Sequence, residues 1–140
     1  MSTSSEAGRG TVRVRALATL AAVVVAILVW VLADSVFGVE LRTPDGPGSS
    51  ETSELTLPTA AVAAGVVALL GWGLLALLER RSARARTLWT RVAVGVLVLS
   101  LFAPLFAQGL SAGNRVSLLL LHLGVGAAVI PAFRLGARTS

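Results

Sequence analysis

The sequence predicts an all-α polytopic membrane protein, four transmembrane helices in an antiparallel bundle with both termini cytoplasmic. Three observations carry that expectation. Residues 16–33, 55–78, 92–114 and 116–133 are charge-free and mostly apolar. Each is long enough as a helix to cross, or nearly cross, a hydrocarbon layer about 30 Å thick. Hydrophobic residues make up 55% of the chain and charged residues only 14%, too little polar surface for a soluble globule of 140 residues. The arginines cluster at the ends of the apolar stretches, almost all on one side of a four-pass chain. In lipid each backbone polar group must be satisfied within its own segment, which selects helices for spans of this length. A barrel would need alternating segments of about ten residues, and the sequence has none.

Arginine placement sets the orientation. Arg9, Arg13 and Arg15 precede the first span, and Arg80, Arg81, Arg84, Arg86 and Arg91 fill the link between the second and third. Arg134 and Arg138 follow the fourth, leaving only Arg42 and Arg115 on the opposite side. That opposite side also holds Asp34, Glu40, Asp45, Glu51 and Glu54. Basic residues are retained in the cytoplasm during insertion, so both termini are expected there, in a multi-pass protein of the plasma membrane. The net charge of +5 then reflects topology and attraction to anionic lipid headgroups, about 1 kcal/mol per arginine. Nucleic-acid binding is not expected. Residues 16–33 are too long for a signal-peptide core and no small-x-small cleavage site follows, so the first span reads as a retained anchor.

The elements follow in order. Residues 1–10 are Ser- and Gly-rich and expected to be a disordered cytoplasmic tail; one transmembrane domain covers 11–135, and 136–140 form a second tail. The first span, about 13–37, stops before Gly38, with Trp30 and Phe37 placed to anchor at the headgroups. The loop 38–56 alternates at Val39-Glu40-Leu41-Arg42, so it can lie extended across the bundle mouth. Its Thr43-Pro44-Asp45-Gly46-Pro47-Gly48-Ser49-Ser50 run is turn chemistry and expected to be mobile and solvent-exposed. The second span, about 57–80, opens at Pro58, which suits a first helical turn. The third, about 88–108, has Trp89 at its cytoplasmic interface. The fourth, about 114–133, is expected to be capped by Asn114. Short links make the last three spans antiparallel neighbours.

Small residues mark the packing faces, because lipid is as apolar as leucine and helix contacts rest on close approach. The stripes are Ala18, Ala22 and Ala26; Ala61, Gly65, Ala64, Ala68 and Gly71; Gly95, Ala103 and Ala107; and Gly124, Gly126, Ala127 and Ala128. Packing within one chain is the first reading of these stripes. A homodimer seam or a membrane-protein partner is the alternative.

One polar locus lies within the spans. His122, the only histidine, sits about 12 Å below the outer end of the fourth span at 1.5 Å per residue, with Arg115 two turns earlier on the same face. Pro104 has no N–H, so the carbonyl of Ser100 loses its helical donor. Counted back from Gln108, Ser100 lies at a similar depth to His122. Gln108, Asn114, Arg115 and Asp34 are expected to line the route from this point to the outer surface. The plain reading is an interhelical hydrogen bond from His122 to the Ser100 carbonyl or hydroxyl; the sharper one is a polar cavity open to the outside. One histidine without Cys, Asp or Glu nearby does not supply a metal site. The chain has no cysteine, which excludes thiol chemistry, and the sequence carries no cofactor signature and no catalytic constellation. The leading functional expectation is therefore a non-enzymatic accessory or scaffold subunit. A small transporter or ligand-binding protein built around His122 is the alternative.

Three segments, Trp30…Gly38-Val39-Glu40-Leu41, Ser100-Leu101-Phe102-Ala103-Pro104-Leu105 and Leu121-His122-Leu123…Ile130-Pro131, resemble a group of small actinobacterial four-helix membrane proteins known only as a domain of unknown function. The resemblance covers about residues 13–133. It implies the four-helix fold and no activity. Small multidrug exporters carry a glutamate buried in the first helix, quinone-coupled disulfide enzymes need cysteines, and membrane glutathione transferase relatives have Glu and Asn in the second helix. This chain has none of these.

The arginine asymmetry makes a direct prediction. A reporter active only outside the cytoplasm should be silent when fused after Ser140 and active when inserted within 46–50; the reverse pattern would overturn the orientation.

Overall fold

A computed structural model of the chain describes residues 2–46 and 49–135. Helix α1 runs Ser2–Val31 and continues into one π-helical turn, Leu32–Val36. A two-stranded antiparallel hairpin follows, β1 Arg42–Pro44 and β2 Thr52–Glu54, with Arg42 opposite Glu54. Then come α2 Leu57–Arg81, α3 Ala85–Phe106 and α4 Ala112–Leu135. The four helices are long and apolar enough to cross a membrane. Their outward surfaces are as apolar as their contacts: Leu20, Val24, Leu28, Leu70, Val96 and Leu99 are all exposed. A water-soluble bundle would carry polar residues there.

The helix ends have local causes. Gly38, at φ +66°, takes the left-handed turn that ends the first span, and the Val39 N–H donates back to the Ala33 carbonyl at 2.8 Å. Thr56 caps α2, its hydroxyl accepting from the Thr59 N–H, with Pro58 in the first turn. Helix α3 stops at Phe106, two residues past Pro104, and Gly109 turns the chain at φ +77°. Ser111 rather than Asn114 caps α4: its hydroxyl accepts from the Asn114 N–H at 3.1 Å. The segment 1–10, expected to be disordered, is helical from Ser2 onward as an extension of α1; no proline interrupts it. The expected tail 136–140 lies outside the described residues.

Helix α1 is the hub. Ala18, Ala22 and Ala26 are fully buried along it, and it packs on both α2 and α4. From α2 the stripe Ala60, Ala64 and Ala68 is buried in turn. The small residues of α4 allow equally close approach. A Cβ on Gly124 would lie 2.8 Å from Val25 of α1, and one on Gly126 would lie 2.8 Å from Leu97 of α3. Gly95, expected on a packing face, looks into open space instead.

Two side chains placed at interfaces by sequence do other work. Trp89, near the arginine-rich end of α3, is buried inside the bundle. Its indole N–H donates to the Gly71 carbonyl at 2.9 Å and its ring lies 5.5 Å from that of Phe133. Trp30 donates to the Leu55 carbonyl at 2.7 Å, holding the end of the hairpin to the first span. At the opposite end of the bundle, Arg15 of α1 and Glu79 of α2 form a buried ion pair at 2.6 Å. The pair sits at the edge of the apolar zone, where mutual attraction offsets part of the cost of burying both groups.

Removing one partner of such a pair leaves an uncompensated buried charge. Glu79→Ala is therefore expected to lower stability by about 3 kcal/mol in detergent unfolding titrations. The double variant Arg15→Met, Glu79→Leu should recover most of that loss.

Candidate functional site

Helices α2 and α3 join at the arginine-rich end through Trp89 and Gly71. Toward the hairpin they flank a cavity of about 570 Å³, within the range of small-molecule pockets, about 300–1,000 Å³. It runs from Ala60 to Leu74 along α2, about 21 Å at 1.5 Å per residue. Its back wall is Leu118, Leu121, Val125 and Val129 of α4, with Ala26 of α1; Thr43 and Leu55 of the hairpin region form the roof. Its rim includes Val67, Leu70 and Val96, side chains on the lipid-facing surface. The cavity thus opens sideways between two helices, onto the apolar outer surface of the bundle.

His122 and Ser100 both line this cavity, so the equal depth read from the sequence brings them to one space. They do not bond to each other there. His122 Nδ1 lies 2.6 Å from the Leu118 carbonyl, one turn back on its own helix. The Ser100 hydroxyl donates to the Leu97 carbonyl at 2.7 Å, also within its helix. Each side chain is satisfied by a carbonyl of the preceding turn of its own helix, a local bond that competes with one across helices.

The other residues of the locus are dispersed. Pro104 is buried in the last turn of α3. Arg115 turns away from the cavity and donates from Nη1 to the Pro104 and Leu105 carbonyls at 3.0 and 2.7 Å. A cation on the last carbonyls of a helix complements its dipole. Gln108 is exposed and borders a second hollow of about 530 Å³ between the hairpin and the Phe102–Phe106 face of α3. Asp34 is exposed on the π-helical turn. The polar route to the outer surface is therefore not assembled; the hairpin stands in its place.

Asn114 holds that hairpin. Its side chain is buried, accepting from the Arg42 N–H at 3.2 Å and donating to the Arg42 carbonyl at 3.0 Å. One amide thus pairs with the edge of β1 as a third strand would. Arg42 in turn donates to the Thr52 hydroxyl and carbonyl, at 2.8 and 2.6 Å, and pairs with Glu40. Leu41 is buried beneath, and Leu55 donates to the Leu41 carbonyl at 2.8 Å. The stretch expected to lie extended across the bundle mouth is docked there at Leu41 and Arg42. Its sequence signal was the alternation at 39–42; the partner, an asparagine 72 residues away, gave none.

Asn114→Ala removes both bonds and leaves a backbone donor and acceptor unpaired, each costing about 1–3 kcal/mol if it stays buried. The expected outcome is local: amide exchange at Arg42 and Leu55 accelerates by at least about tenfold, while exchange in α1 and α2 is unchanged.

Comparisons with curated proteins and with solved structures find no match. The family described as a family of unknown function (DUF6069) matches residues 6–139, nearly the whole chain, and the protein belongs to that family.

Proposed function

We propose that this is a plasma-membrane protein, both termini cytoplasmic, that binds a lipophilic small molecule taken sideways from the bilayer into the cleft between α2 and α3. The observation that carries the reading is the cleft itself. It has walls from all four helices, an apolar lining, a mouth on the lipid-facing surface and the histidine of the span region on its wall. An accessory or scaffold subunit would have its small-residue stripes fill the bundle throughout. Here they fill the α1–α2 and α1–α4 contacts and leave α2 and α3 apart. The reading assigns no catalytic step: no carboxylate lines the cavity, and its one histidine has no acid or base partner there.

Native mass spectrometry of protein purified from its own membranes tests this. A bound small molecule should appear as a discrete mass adduct and vanish in Ala63→Phe, which fills the cavity from its exposed rim with little effect on the core. A photo-crosslinking residue at Val67 should capture lipid-sized species. Capture of a second polypeptide at Val67, with no adduct in the mass spectrum, would overturn the reading in favour of an accessory subunit.

A further inference from the structure

The polar atoms on the cavity wall are not a mixed set. A carbonyl oxygen can only accept, so the contact to Leu118 assigns the hydrogen of His122 to Nδ1. In the neutral tautomer so assigned, Nε2 is a lone-pair acceptor, and among the described residues that atom has no partner. The hydroxyl hydrogen of Ser100 is committed to Leu97, which leaves its oxygen as a second acceptor. Pro104 withholds the N–H that the Ser100 carbonyl would receive in an unbroken helix. The indole N–H of Trp89, which also lines the cavity, is committed to Gly71. Apart from the Thr43 hydroxyl at the roof, the wall offers acceptors without donors. It also carries no charge: Arg115, near its hairpin end, is committed to the carbonyls of α3.

An acceptor in an apolar cavity selects its ligand by donor count, because an unpaired polar atom out of water is costly. Carboxylates and phosphates bring acceptors and charge to a wall that can answer neither. Ethers and esters bring acceptors alone. A hydroxyl matches. Resting on the cleft reading above, we propose that the cavity takes a neutral lipid alcohol, one long apolar chain whose terminal hydroxyl donates to Nε2 of His122. The cleft continues past His122 toward Val129, Leu74 and Trp89, about 10 Å of apolar wall along α4. The hydroxyl therefore sits below the hairpin roof and the chain points toward the arginine-rich end. Ser100 supplies the acceptor for a second hydroxyl in a diol head.

The test uses the full-length protein in phosphatidylcholine nanodiscs with three diazirine-bearing probes of equal chain length: a C16 alcohol, its methyl ether and the corresponding carboxylic acid. Adducts are mapped by mass spectrometry of peptides. The alcohol should label Val96 and Val125 about three- to tenfold more than the ether or the acid, the size of one net hydrogen bond. His122→Phe should reduce alcohol labelling to the ether level, and His122→Gln, whose amide oxygen accepts, should keep it. The imidazole nitrogen signal of Nε2 should shift on adding the alcohol and not the ether. Equal labelling by alcohol and ether in the wild type, or strongest labelling by the acid, overturns the lipid-alcohol assignment while leaving the cleft reading in place. Absence of cleft labelling by all three probes overturns both.

Discussion

Close approach of α1 to its neighbours through alanine is the constraint on which the rest of the bundle depends. Inside a bilayer, burying a leucine against another helix gains little over leaving it in lipid, so contact must come from backbone proximity and dispersion. Ala18, Ala22 and Ala26 supply it on one side of α1, and Ala60, Ala64 and Ala68 answer from α2. Gly124 brings α4 against Val25. Three helices are thus drawn together around one rail of methyl groups. Helix α3 has no comparable rail: its Gly95 faces open space. It is held by α4 through Leu97 over Gly126, by Arg115 at one end and by Trp89 at the other. The cleft is the geometric remainder of that inequality.

Polar groups do the work of location rather than of adhesion. Each sits where an apolar contact would be indifferent to register. Arg15 and Glu79 fix α1 against α2 at one end, and Trp30 fixes the chain leaving the hairpin to the first span. Asn114 fixes β1 to the start of α4. Individually such bonds are modest in lipid, averaging about 0.6 kcal/mol. Their value lies in specificity, since a bundle of alanine and valine stripes could otherwise slide by one turn at small cost.

The four helices were legible in the sequence because charge exclusion from hydrocarbon is severe and leaves its mark residue by residue. The stripes Ala18–Ala22–Ala26 and Ala64–Ala68 were legible for a related reason, as small residues at helical spacing have few other uses in such spans. The equal depth of Ser100 and His122 followed from counting rise along two antiparallel helices, and the cavity contains both. Their bonding did not follow. Rise fixes depth but not the few ångströms of separation that decide whether a hydroxyl turns to a neighbour or to its own helix. The Arg15–Glu79 pair and the Asn114–Arg42 pairing were illegible for another reason. Both join residues more than sixty positions apart, and neither leaves a local pattern. The burial of Trp89 was not legible because an aromatic near a span end can face the headgroups or the bundle, and only the neighbouring Gly71 and Phe133 distinguish the two.

The unequal lengths of the helices have a consequence for the surrounding membrane. Helix α1 has 30 residues and α3 only 22, of which the charge-free part begins at Val92. From there to Phe106 the rise is about 22 Å, short of a hydrocarbon layer about 30 Å thick. A bilayer of that thickness would have to thin alongside α3, or the exposed Arg91 would have to reach outward along its stem to the headgroups. That hydrophobic mismatch falls on the very helix that borders the mouth of the cleft.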